Sequence, residues 1–337
     1  MNNMKNIIIL KLAIVICLFA VAPAYSQDHH FSQYDMSLQY LNPALTGMII
    51  DEPYAWRVNT LYRSQWRSIA SKPFTNQLIA YDMPFKKSIG LGGYILNNRA
   101  GAGQLNTLNV MVSGAYEITI DPSNKHNLFG GLQIGIFHRS LNADNLLFDS
   151  QYSTSTNSYD PSIISGENIS NKSIIRFDAN LGFYYKYFDK SKKVSPHGGF
   201  SLFRVAMPNE SLTGEMNRLP IRWLFTGGCD YKANEKLTIS PNLMFMTQAK
   251  VTDIVLSALF DYKFESSKYS VVGGLAYRYK DAVIVRGGLK FGRNIFSISY
   301  DLNVSSLKTY THMRGGFEIG IIYINDKPKN LSRMKMM

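Results

Sequence analysis

Side chains able to do chemistry are sparse in this sequence, and none of them is grouped. His126, His138, His197 and His312 are scattered over different stretches, so no Ser/His pair shares a strand face and no acid–base constellation forms. Two cysteines, Cys17 and Cys229, cannot build a zinc site. The glycine pairs Gly92-Gly93, Gly198-Gly199 and Gly287-Gly288 do not open a helix after a strand, as a phosphate loop would, and read as strand glycines that ease curvature. If the chain is cut before Gln27, His29 becomes the third residue, the position of an amino-terminal copper site. Such a site needs a free amine, which cyclisation of Gln27 removes. No catalytic residue, cofactor or metal is expected. The net charge of +12, from 36 Lys+Arg against 24 Asp+Glu, lies in turns and not in a basic, aromatic-lined groove, so nucleic acid is not an expected partner.

The elements that carry these residues follow from composition and pattern. Hydrophobic residues make up 45% and charged ones only 18%, which excludes a disordered chain. Aromatic content is 13%, with 21 Tyr and 19 Phe, residues suited to strands and membrane interfaces. Residues 1–26 have the layout of a secretory signal peptide: Lys5, an apolar run from Ile7 to Val21 broken by Lys11, then Ala24-Tyr25-Ser26, with cleavage between Ser26 and Gln27. The run is short for a membrane helix, which needs about 20 residues. Cleavage leaves Cys229 as the only cysteine, so no internal disulfide is expected.

The remaining chain alternates. Ile175, Phe177, Ala179, Leu181, Phe183, Tyr185 and Tyr187 share one face, opposite Arg176, Asp178, Asn180, Gly182 and Lys186. Phe296, Ile298, Tyr300, Leu302 and Val304 oppose Ser297, Ser299, Asp301, Asn303 and Ser305. Leu108, Val110, Val112, Tyr116 and Ile118 oppose Thr107, Asn109, Ser113 and Glu117. Soluble strands usually run about 5–6 residues, and membrane-crossing strands about 9–11. Length therefore favours a transmembrane barrel over a soluble β-sandwich. About fourteen strands are expected, near 56–66, 74–84, 89–97, 106–120, 126–139, 174–188, 196–206, 221–231, 237–248, 252–264, 269–279, 282–291, 294–305 and 314–324.

Alternate connections are tight and polar, as periplasmic turns are. The intervening ones include the long segments Leu141–Lys172 and Met207–Pro220, so both chain ends are expected on the periplasmic side. Aromatic residues gather where outward faces meet the tight turns, at Tyr185, Tyr187, Tyr262, Phe264, Phe291 and Tyr323, the place of an interfacial girdle. The tight turns and the tail Asp326–Met337 together carry +9, whereas Leu141–Lys172 carries −3. Lys86, Lys87, Lys192 and Lys193 thus form a basic rim. They either keep the turns soluble or dock an acidic partner.

Residues 27–55 do not alternate. Asn42-Pro43 starts a turn and Gly47 permits a positive φ, so the segment suits a plug in the barrel mouth. Its residues carry a resemblance. Phe31-Ser32-Gln33-Tyr34, Leu41-Asn42-Pro43-Ala44 and Gly47 closely resemble the start of mature PorP/SprF-family proteins, outer-membrane components of the type IX secretion and gliding machinery of Bacteroidota. Arg57-Val58, Tyr62-Arg63-Ser64-Gln65-Trp66, Tyr81-Asp82 and Gly90-Leu91-Gly92-Gly93 continue it. The basic tail after Tyr323 departs from barrels that end close to their last strand. Fourteen-stranded fatty-acid channels also carry Asn-Pro-Ala in an amino-terminal plug, so that motif does not separate secretion from uptake.

The expectation is an all-β protein: signal peptide 1–26, plug-like segment 27–55, outer-membrane barrel 56–325 and basic periplasmic tail 326–337. The family resemblance implies a non-enzymatic role in secretion or in holding a secreted adhesin or sorting-domain cargo. It also implies contact with periplasmic type IX components, including a peptidoglycan-binding lipoprotein. The alternative is a channel for small, hydrophobic solutes. Trp66 is expected as an interfacial anchor. Asp178, Asn180, Asp301 and Asn303, on inward faces, either line water or bind the plug.

Overall fold

A sheet of such alternating ribbons leaves two edges of unpaired peptide groups to satisfy, and in the computed structural model the sheet satisfies them by closing on itself. The structure describes residues 29–326 apart from 49–52, 68–71, 87, 102–103, 120–122, 124, 143–145, 167–171, 266 and 307. The expected signal peptide, its Ser26–Gln27 cleavage point, Lys87 and the tail beyond Asp326 therefore lie outside the described residues.

Fourteen antiparallel strands form one closed barrel in which each pairs with its neighbour in sequence. They are β1 (Tyr54–Gln65), β2 (Phe74–Lys86), β3 (Ile89–Ala100), β4 (Leu105–Thr119), β5 (His126–Ser140), β6 (Ser173–Tyr187), β7 (Val194–Phe203), β8 (Arg222–Lys232), β9 (Leu237–Gln248), β10 (Val251–Lys263), β11 (Tyr269–Arg278), β12 (Ala282–Phe291), β13 (Asn294–Asn303) and β14 (Arg314–Asp326). β1 and β14 close the ring in continuous register from Trp56↔Asn325 to Gln65↔Gly316. Closure leaves no sheet edge with unpaired peptide groups, which hydrocarbon cannot satisfy. A small hairpin, Tyr152–Ser153 with Ser158–Tyr159, stands apart in the long β5–β6 loop.

Burial is inverted relative to a soluble protein. Ile79, Ile95, Val112, Ile134, Phe177 and Leu256 are exposed, while Asn59, Asn76, Gln133, Asp178, Ser299 and Glu318 are buried. The alternation seen in sequence thus has its apolar side outward. Aromatic rings ring the tight-turn end of that surface. Trp56 and Tyr323 lie 5.5 Å apart, Tyr262 and Phe264 5.6 Å, and Tyr269 and Phe291 4.9 Å.

Three strand ends differ from expectation. The strand expected over 196–206 stops at Phe203, because Arg204 takes φ +62° and turns inward to Asp178 at 2.6 Å and Asn109 at 2.8 Å. Trp66 does not lie in a strand. It follows β1 with φ +59° and packs edge-on against Phe74 at 4.6 Å. β14 runs on to Asp326, which bonds Arg293 of the β12–β13 turn at 2.9 Å.

The outward face predicts its own test. Val112→Arg, at mid-height on β4, is expected to cost about 2–4 kcal/mol in urea-driven unfolding of the protein in lipid vesicles. A loss near zero would mean that this face does not meet hydrocarbon.

Candidate functional site

A lumen walled by Asn, Ser, Asp and Glu must be filled by water or by protein. Here residues 29–48, an irregular strap of short turns (Tyr34–Met36, Leu38–Leu41 and Pro43–Leu45), occupy it. The strap bonds strands all round the barrel, including β1, β2, β5, β6, β10, β12 and β14. It also runs lengthwise. His30 approaches Asp253 at 3.6 Å at the end that carries the long loops, and Gly47 bonds Asp82 at the tight-turn end, where β1 begins. The described start of the strap therefore lies at the long-loop end. The chain-end residues 27–28 and 327–337 are not described.

Three anchors hold the strap. The first sits at the β1–β14 closure. Arg63, 2% exposed, donates to Asp301 at 2.8 Å and to Glu318 at 3.1 Å. Ser32 Oγ donates to Asp301 at 2.7 Å and accepts from Arg278 at 2.8 Å and from Arg63. The two carboxylate oxygens of Glu318 accept the backbone N–H groups of Ser32 and Gln33, each at 2.8 Å. Arg63 and Arg278 face Asp301 and Glu318, and Arg278 also pairs with the exposed carboxylate of Asp281 at 2.8 Å. Buried as they are, the first four charges depend on their partners. Gln33 adds bonds to Ser299 at 3.2 Å and to Ser297, and Gln65 accepts from Arg63 at 3.0 Å.

The second anchor is the Asn42-Pro43-Ala44 turn. Asn42 Oδ1 accepts from Ala44 N–H at 2.9 Å, and its Nδ2 donates to the Phe183 carbonyl at 2.9 Å. The turn sits against strand backbone. A Cβ at Gly131 would meet Pro43 backbone at 2.3 Å, and one at Gly182 would meet Asn42 Oδ1 at 2.2 Å. Gly199, expected to ease curvature, instead leaves room for Asn42 Nδ2, which a Cβ would meet at 2.6 Å. The third anchor is Asp82, bound by Arg57 Nε at 2.9 Å and by the N–H of Gly47 at 2.7 Å. Gly47 has φ +63°, and its close approach to Gly90 leaves no room for a Cβ on either.

Apolar contacts fill the rest. Phe31, Met36 and Tyr40 pack with Leu61, Leu78 and Leu96 from the barrel wall, and Tyr34 bonds Ser257 at 2.9 Å. Arg222 lies between the rings of Tyr40 and Phe203, at 4.6 and 4.2 Å. Phe31, Gln33, Tyr34, Asn42, Pro43, Ala44, Gly47, Arg63 and Gln65 thus converge on one assembly, which Tyr62 does not join. Of the inward residues, Asp301 binds the strap, whereas Asp178 and Asn180 hold Arg204. Arg222, Arg278 and Glu318 escaped notice in the sequence. Their signal is a charge on the inward face of a strand.

At the tight-turn end, Lys86, Lys192 and Lys193 are exposed and form no ion pair among the described residues. Neighbouring Lys125 does pair, with Asp189 at 2.9 Å. That bond, with those from Ser191 N–H and hydroxyl, holds the Asp189 carboxyl well below the usual carboxylate range and ties two turns together.

A family model for the type IX secretion system membrane protein PorP/SprF matches residues 24–323. The chain belongs to the PorP/SprF family. The match takes in the strap motif and the barrel up to Tyr323 in its last strand. No curated protein matches the chain in sequence. Among solved structures, it is similar in fold to the Ralstonia pickettii toluene transporter TbuX, at 12% identity over 87% of this chain and 94% of that one, TM-score 0.54. It is also similar to the deltaS2S3 mutant of the monoaromatic hydrocarbon channel TodX, at 10% identity over 88% of this chain and 95% of that one, TM-score 0.51. These likenesses concern the fold, that of outer-membrane barrels.

Two substitutions test the anchors. Arg63→Met leaves Glu318 buried without its cation and Asp301 with only Arg278, at 3.3 Å, and is expected to cost about 3–5 kcal/mol in urea unfolding, with Arg63→Lys restoring only part because it lacks the forked donor. Gly182→Val is expected to expel the Asn42-Pro43 turn. Limited proteolysis should then cut within residues 29–48 while heat-modifiable gel migration still reports a closed barrel, and an uncut strap would refute the seat.

Proposed function

We propose that this PorP/SprF protein works in the outer membrane as a non-enzymatic anchor. It binds a secreted adhesin or sorting-domain cargo on one side and periplasmic type IX components, including a peptidoglycan-binding lipoprotein, on the other. Membership of a secretion-system family supports the reading, and the observation that carries it is the occupied lumen. A strap held by buried ion pairs suits a plug better than a passage, which leaves the two rims as working surfaces. In this reading residues 1–26 are removed on export, 27–55 plug the barrel 56–325, and the tight turns and tail 326–337 face the periplasm. The unpaired Lys86, Lys192 and Lys193, with Lys87, present positive charge to an acidic partner.

A deletion strain tests the role, and a gentle-detergent pull-down tests the rim. Deletion is expected to remove the cargo from the cell surface. Unchanged cargo display with altered uptake of a small solute would overturn the secretion reading in favour of a channel. Reversing all four lysines to Glu is expected to lose co-purifying periplasmic proteins while the barrel still folds. An unchanged set of partners would make the lysines mere solubilisers.

A further inference from the structure

The strap does not fill the lumen evenly. A cavity of about 270 Å³ remains between it and β6–β10. Its polar wall lies close to the tight turns. Lys186 is next to the last residue of β6, Asp230 stands two residues from the end of β8, and Ser240 is the fourth residue of β9. Asp35 and Asp230 each keep 32% of the side chain exposed, so solvent enters from the tight-turn end. The strap closes the other side with Leu38, Leu41 and Leu45. Two inward wall residues join these leucines. Leu259 comes from β10, and Tyr184 interrupts the polar series Asp178, Asn180, Gly182 and Lys186 of β6.

The charges of the lining are matched. Lys186 pairs with Asp230 at 2.9 Å and Arg286 with Asp35 at 2.7 Å, and Ser240 Oγ donates to the other oxygen of Asp230 at 2.8 Å. What remains unmet is neutral. Asn242 Nδ2 donates to the Ser240 carbonyl at 2.9 Å, which orients the amide, and Asn242 Oδ1 meets His197 Nε2 at 3.0 Å. An amide oxygen only accepts, so in the neutral imidazole Nε2 carries the proton and Nδ1 is an acceptor. That Nδ1 is buried and has no hydrogen-bond partner among the described residues, and the same holds for Thr226 Oγ1 on the neighbouring strand. In the β7–β8 register His197 faces Gly228 and Thr226 faces Gly199, so no side chain stands opposite either. The Tyr184 ring stacks on His197 at 6.2 Å. A buried polar atom left unmet is costly, and a ligand that satisfies it gains accordingly.

We infer that this cavity binds one small uncharged molecule with a ring-sized apolar body and a hydroxyl or amide group, entering from the tight-turn end. Each property follows from the lining. A volume of about 270 Å³ is the share of about nine liquid waters, room for a single ring system and not for a lipid or an oligosaccharide. The strap leucines, Leu259 and Tyr184 receive the apolar body. His197 Nδ1 requires an N–H or O–H donor, and the Thr226 hydroxyl can give or take a second bond. With Lys186, Asp230 and Asp35 engaged, a charged ligand finds no counterion. A molecule seated there touches the strap directly, away from the lysines of the rim.

The probe is para-fluorophenol, compared with para-fluoroanisole, in which a methyl group replaces the hydroxyl proton. Both are titrated by fluorine NMR against the full mature protein in detergent micelles, with empty micelles as the reference. Saturable binding of the phenol is expected, about tenfold tighter than that of the ether, the worth of one hydrogen bond. Thr226→Val keeps the shape and removes the hydroxyl, and should weaken the phenol several-fold. His197→Phe keeps the stacked ring and removes Nδ1, and should erase the preference for phenol over ether. Leu259→Trp fills the cavity and should abolish binding of both. Heat-modifiable migration confirms that each variant is folded. A phenol signal no different from that of empty micelles would overturn the inference and leave the cavity to water. Equal affinity for the two probes, or binding that survives Leu259→Trp, would overturn it as well.

Discussion

Hydrocarbon offers a peptide group no hydrogen bond, and the whole molecule answers to that constraint. Every strand must find two partners, so the fourteen close into a ring and β1 meets β14. Once the ring is closed, the pleat dictates that alternate residues face lipid and lumen. The same constraint that turns apolar side chains outward leaves Asn, Asp, Glu and Arg facing inward, where they in turn need partners.

The strap supplies those partners. Eight strands enclose an interior that side chains alone can fill, and wider barrels leave a channel or need a plug. With fourteen strands the wall side chains cannot meet across the middle, and the chain uses its own residues 29–48 to fill it. The contacts are specific at both ends and at the middle. Arg63, Asp301 and Glu318 grip the first turn, glycines receive the Asn42-Pro43 turn, and Asp82 takes the N–H of Gly47. Pairing between the strap and the β1–β14 closure also means that the ring is locked by a segment that precedes its first strand.

Much of this was legible in the chain. Alternation across Ile175–Tyr187 and Phe296–Ser305 stated strand, length and face, and the strands stand within a few residues of their expected ends. One deviation came where an inward polar group competed with the ladder, and another where the backbone turned to positive φ. Arg204 left β7 to reach Asp178, and Trp66 turned at the end of β1. The strap motif was visible as a non-alternating run, and its residues did prove to lie together. Their partners were not visible, because Ser32 and Glu318 are 286 residues apart and nothing local in either marks the other. Gly199 looked like any strand glycine until Asn42 was found against it.

The sequence by itself determined the number of strands, their lipid-facing side and the family, because side-chain direction alternates with every residue whatever the surroundings and because the motif is contiguous. Only the tertiary structure decided which inward charges meet and which glycines face the strap. Those outcomes depend on how the ring closes and on what threads it, and closure brings together residues from opposite ends of the chain whose contact no local pattern encodes.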